Sequence, residues 1–87
     1  MKLKYELVIQ EIAGTYMAAA VGASARKYNN VINLNETGKV ILELLQQETT
    51  EEDIVKELQN RYEGNEQVIR KSVKTVLNKL SDEGLLD

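Results

Sequence analysis

Val31-Ile-Asn-Leu-Asn-Glu-Thr-Gly38, running on into Val40-Ile-Leu-Glu-Leu-Leu45, is the stretch on which the fold turns. Its first half is β-branched and alternating, and its second half carries apolar residues at helical spacing. Between them Asn35 is suited to be an N-cap, because its side-chain oxygen can accept an otherwise unpaired amide of the first helical turn. Gly38 costs about 1 kcal/mol relative to alanine inside a helix unless something packs closely against it. The sequence therefore predicts a strand that feeds directly into a helix. If the other margin of that strand is unpaired, a foreign backbone can dock there.

Working back toward the N-terminus, Tyr5 to Ile12 reads as a strand, Ala13-Gly14 as a hairpin turn, and Thr15 to Val21 as the returning strand. The Ala18-Ala-Ala20 run is a weaker strand former. Gly22-Ala-Ser24 breaks the chain again. From Arg26 to Leu34 the alternation places Tyr28, Ile32 and Leu34 on one face and Lys27, Asn29, Val31 and Asn33 on the other, which predicts a half-buried third strand with a polar outer side.

Working forward, the first helix is predicted over Glu36 to Gln47, with Val40, Ile41, Leu44 and Leu45 as its apolar stripe. Thr50-Glu-Glu-Asp53 caps a second helix whose stripe is Ile54, Val55, Leu58 and Tyr62 and which ends at Gly64. Its three acidic residues suit the positive end of the helix dipole. Asn65 caps a third helix that reaches about Asp82, with Gly84 just past its end and Leu85 and Leu86 folding back on the helices. On that last helix Ile69, Val73, Val76, Leu77 and Leu80 fall on the core side. Val68, Ser72, Thr75 and Lys79 form a neighbouring stripe. It is either a plain boundary between core and solvent or a shallow trough beside small side chains.

Composition narrows the function. The 87 residues are 43% hydrophobic and 29% charged, a globular balance. They make one domain, 1–87, that buries roughly 60–65% of its unfolded surface. No apolar run approaches the ~20 residues of a membrane span. Met1-Lys-Leu-Lys-Tyr-Glu6 is charged from the outset, so no secretory leader and no membrane partner are expected. With no cysteine, a cytoplasmic location is expected. The chain also has no histidine, so the usual neutral-pH base and the commonest metal ligands are both missing. Its five glycines are dispersed and form no phosphate loop. These absences argue against an enzyme and against any cofactor.

Several motifs together resemble the PqqD-like family. They are Glu11-Ile-Ala-Gly-Thr-Tyr16, the strand-to-helix stretch quoted above, Thr50-Glu-Glu-Asp-Ile-Val55 with Tyr62, and Val76-Leu-Asn-Lys-Leu80 with Gly84-Leu-Leu86. The likeness covers nearly the whole chain. Many relatives have an aromatic where Leu42 stands and a proline after the second strand, which this chain lacks. The resemblance implies an α+β, winged-helix-like domain, an N-terminal three-stranded antiparallel sheet followed by three helices. It further implies a non-catalytic recognition element for the leader of a ribosomally made, post-translationally modified precursor peptide. Such a leader adds as a strand to the third strand, facing the third helix. The domain presents it to a modifying enzyme: a radical S-adenosylmethionine enzyme, a leader peptidase or a cyclase.

On that basis Lys27, Tyr28, Asn29, Asn30, Val31 and Ile32 are the expected pairing segment, free of proline, so that every amide is able to donate. Val68, Ser72, Thr75, Val76 and Lys79 are expected to line the trough. Arg26, Lys27, Lys71 and Lys79 would favour an acidic leader. Two rival readings stand beside this one. Winged helices often bind DNA, and Arg70, Lys71, Lys74 and Lys79 lend that some support, but a net charge of −3 argues against a nucleic-acid partner. The third strand's margin would also pair two copies into a homodimer.

Overall fold

The computed structural model describes residues 1–87. Ala13 and Gly14 both take positive φ, 52° and 80°, as a two-residue hairpin loop requires for its twist to match the flanking strands. Around that loop Leu7–Ile12 (β1) pairs antiparallel with Thr15–Ala20 (β2). Val31–Leu34 (β3) pairs antiparallel with β2, giving the order β1-β2-β3.

The third strand is shorter than its alternation predicted. Gly22–Arg26 forms a 3-10 helix, and the amides of Lys27 and Tyr28 both donate to the Ser24 carbonyl at 3.0 Å. Those amides are satisfied locally and do not enter the sheet. The Ser24 hydroxyl meanwhile accepts from the Glu6 amide at 3.1 Å, which ties this turn to the start of β1. Tyr28 is buried all the same, its ring stacked on Tyr5 with centroids 6.5 Å apart.

Three capped helices follow. The Asn35 side chain accepts from the Gly38 amide at 2.7 Å and opens Glu36–Leu44 (α1). Thr50 accepts from Asp53 at 3.1 Å and opens Glu51–Arg61 (α2). Asn65 accepts from Gln67 at 2.7 Å and opens Glu66–Asp82 (α3). The close packing expected at Gly38 is present: a Cβ there would sit 3.3 Å from both Leu34 Cδ2 and Asn35 Oδ1. Strand and helix can meet at this corner because the glycine has no side chain.

α1 ends three residues before Gln47, and α2 ends before Gly64, where Tyr62 turns extended. α1 touches β3, α2 and α3, so its buried arc is wider than one stripe. Val40, Ile41, Leu42 and Leu45 are in the core and Leu44 is only half-buried. Past α3, the Leu85 amide donates to Leu80 and the Gly84 amide to Ser81, a paired helix-ending pattern that swings Leu85 into the core. Leu3 bridges Leu86, and the Leu3 amide donates to Leu45. The N-terminal segment thus straps the C-terminus onto the end of α1. No helix is long and apolar enough to cross a membrane.

Candidate functional site

Register decides which backbone groups of β3 are free. In an antiparallel ladder, facing residues either exchange both bonds or point both groups away from each other. The Val21 amide donates to Glu6 O, so Val21, Ala19 and Met17 spend their groups on β1. Tyr16 and Ala18 therefore face β3, where their partners are Leu34 and Ile32. By the same alternation Val31 and Asn33 turn their N–H and C=O groups outward, to the margin that no other strand covers. Lys79 Nζ lies 3.4 Å from Asn33 O, which places that carbonyl on the α3 side of the open margin.

α3 forms the second wall. Between its middle and the β3–α1 corner lies a hollow of about 260 Å³ lined by Asn35, Thr37, Lys71, Ser72, Thr75 and Val76. Most of these are hydroxyl, amide or ammonium groups, although the Thr75 hydroxyl already donates to Lys71 O at 3.0 Å. Val68 continues the wall toward the start of α3 and is 63% exposed. At the other end Glu83 caps α3. Tyr28 stands near it: burial, and then the Glu83 charge, push the phenol above its ordinary value. The Tyr28 hydroxyl is buried without a hydrogen-bond partner.

The expected site residues divide. Val31 lies on the open margin with its side chain 58% exposed, and Ser72, Thr75, Val76 and Lys79 share one wall. Ile32 is buried and spends its backbone on β2. Lys27, Asn29 and Asn30 are exposed but belong to no strand, and Tyr28 is a core residue. Asn33, Asn35, Thr37 and Lys71 belong to the cleft and lie outside the expected pairing and trough residues. Asn33 is legible on the outer face of the strand, but its role depends on the pairing register, which its own sequence does not set.

The basic residues of α3 split between two sides. Arg70 binds Glu52 at 2.5 Å and Glu66 at 3.4 Å, and Lys74 binds Glu51 at 3.1 Å. The Arg70 guanidinium holds the Glu52 carboxyl below its usual range. These two cations are committed to carboxylates, two of them on α2, so α3 offers no continuous basic face for a phosphate backbone. No group of acidic side chains is gathered into a metal-binding arrangement.

A larger hollow, about 680 Å³, runs along the opposite margin of the sheet from Lys2 to Ile9, with Glu43 and Gln46 across it. Leu7, Ile9 and Glu11 turn their backbone groups outward there by the same alternation. The end of α1 stands across that margin through Glu43, and the lining mixes Lys2 and Lys4 with Glu6 and Glu43, so no single sign of charge prevails there.

The sequence model of the family described as coenzyme PQQ synthesis protein D (PqqD) matches residues 6–86. The chain belongs to the PqqD family. Among curated proteins none matches it. Two solved structures share its fold. One is TbiB1 in complex with the TbiA(beta) leader peptide, at 20% identity and a TM-score of 0.74, covering 100% of this chain and 95% of that one. The other is a lasso peptide synthetase B1 complexed with the leader peptide, at 18% identity and a TM-score of 0.68, covering 97% and 93%. The sheet followed by three helices expected of a PqqD-like chain is therefore the architecture observed.

Proposed function

We propose that this PqqD-family chain is a non-catalytic carrier that binds the leader of a ribosomally made precursor peptide and hands it to a modifying enzyme. The leader adds as a fourth strand along β3, and its inward side chains enter the cleft under α3. One observation carries this reading: Val31 and Asn33 hold outward backbone groups beside a helix wall that leaves room for side chains. The two solved structures of like fold, both leader-peptide complexes, support the choice of ligand. The outer face of the sheet, where Val8, Ala19 and Val31 lie in register, remains open to the receiving enzyme. That enzyme is a radical S-adenosylmethionine enzyme, a leader peptidase or a cyclase, and a cysteine-free carrier suits a cytoplasmic pathway.

The short ladder shapes the energetics. With β3 only 4 residues long, the outward groups of Val31 and Asn33 contribute about 4 kcal/mol at ~1 kcal/mol per bond. Association alone costs ~4–15 kcal/mol. Micromolar binding, about −8 kcal/mol, therefore requires side chains in the α3 cleft as well as backbone pairing.

Calorimetry with the leader of a precursor encoded beside the gene tests the proposal. Saturable one-to-one binding is expected, and it is lost in Ser72→Trp, which fills the cleft from a half-buried position while the fold survives. Normal binding by that variant would place the peptide elsewhere. The DNA reading has no structural support, because Arg70 and Lys74 are already engaged by carboxylates.

A further inference from the structure

Of the cations on α3, Arg70 and Lys74 have carboxylate partners, while Lys71 and Lys79 have none. Lys79 does something else. It reaches over the cleft and donates to Asn33 O, 3.4 Å away, the outward acceptor at the far end of β3. In the isolated protein the helix thus covers part of the very margin that a docking strand needs. Lysine is a residue that natural sheet edges use to discourage unwanted pairing. A strand that adds fully to β3 has to take Asn33 O from Lys79.

We propose that Lys79 is the specificity-determining residue of this margin: it yields Asn33 O most readily to a strand that offers a carboxylate in return. The ligand is then an extended peptide with Asp or Glu at the residue level with Leu34. The inference rests on the strand-addition reading and deepens it. The Lys79 ammonium, exposed in the isolated protein, loses its acceptor as the incoming strand covers it, and a charge left unpaired beneath that strand is costly. A carboxylate restores the bond and strengthens it, since a hydrogen bond between two charged partners is roughly twice as strong as a neutral one. The 3.4 Å contact with a neutral carbonyl is long enough to be given up in that exchange.

Position follows from the pleat. Residues of an added strand share a face with the β3 residues opposite them, so those level with Ile32 and Leu34 point toward α3. The Leu34 level lies between Asn33, where Lys79 now rests, and the hollow lined by Asn35, Lys71, Ser72 and Thr75. The opposite end of the cleft has Glu83 beside Tyr28 and repels an acid. The cleft is therefore polar in the electrostatic sense, and an acidic side chain fits at one end only.

A displayed library of random extended peptides, selected in parallel on wild type, Lys79→Met and Lys79→Glu, tests this and needs no leader sequence. Wild type is expected to enrich Asp or Glu at one position. Lys79→Met should select peptides without that preference, and Lys79→Glu should shift it to Lys or Arg. For one selected peptide, Asp→Asn should weaken wild-type binding about 3- to 10-fold but leave Lys79→Met within about 2-fold. The control Lys56→Met, on the exposed side of α2, should behave as wild type. If Val31→Pro blocks the selected peptides but Lys79→Met keeps the acidic preference, the role of Lys79 is refuted and strand addition stands. If wild type selects no peptide sensitive to Val31→Pro, strand addition itself fails and the inference falls with it.

Discussion

Exchanging proline into β3 at two adjacent positions separates the function of the strand from its place in the fold. The Val31 amide points to the open margin, so Val31→Pro removes no ladder bond in the isolated protein. Proline is tolerated on an edge strand in that orientation. Asn30 precedes it outside any regular element and can accept the restriction that proline places on its neighbour. With the Val31 side chain 58% exposed, little packing is lost, and the expected stability change is under about 1 kcal/mol. Binding suffers more. One backbone bond, ~1 kcal/mol, disappears and the incoming carbonyl is left unpaired at ~1–3 kcal/mol, so a leader should bind roughly 30- to 1,000-fold more weakly.

Ile32→Pro has the reverse character. It deletes an amide that pairs with β2 and removes a side chain only 2% exposed. The core cavity alone costs ~2–5 kcal/mol, and the broken ladder adds to that. For a chain of this size the total stability is about 4–13 kcal/mol, so the variant should be largely unfolded. Circular dichroism melts read the fold and calorimetry reads the binding. The assignment of outward and inward residues is refuted if Val31→Pro unfolds the protein, or if it stays folded and binds a leader normally.

Two further predictions concern stability. Tyr28→Phe deletes a buried hydroxyl that has no partner, so it should stabilise the fold by about 1 kcal/mol in urea titration. Because the Tyr28 phenol is held above its ordinary value near 10, first by burial and then by Glu83, the unfolded chain releases this proton first on the alkaline side. Stability should be intact below pH ~10 and fall as pH rises through the folded value, and the Phe variant should lack that part of the slope. In the hairpin, Ala13 holds φ at 52°, a region that costs an L-residue other than Asn or Asp about 1–2 kcal/mol. Ala13→Asn should raise stability by roughly 0.5–1 kcal/mol, seen as a higher melting temperature.

What is legible in the sequence is local. Asn35, Thr50 and Asn65 are caps in the structure as their positions suggest, because an N-cap needs only its own first turn. Gly38 is legible for a similar reason: strand and helix ends that are adjacent in sequence must crowd at their junction. The third strand is shorter than its pattern because Tyr28 keeps the buried parity of Ile32 while its backbone is tied to Ser24. Burial periodicity does not report where an amide donates. Leu42 falls outside the predicted stripe yet is a core residue, because α1 is enclosed from several sides, a fact set by distant elements. The Leu3–Leu86 bridge joins the two ends of the chain and leaves no periodic trace. The reach of Lys79 to Asn33 O is likewise set by how α3 crosses the sheet, so the trough is visible on the helix while its contact on the strand is not.

Amide hydrogen exchange with and without leader peptide reads the backbone groups of β3 one residue at a time. Ile32 and Leu34 already donate to β2, so their protection should change little. Val31 and Asn33 should pass from fast exchange to strong protection on binding. Protection gained instead at Leu7 and Ile9, on the opposite margin, or at neither margin while the peptide is bound, would contradict strand addition along β3.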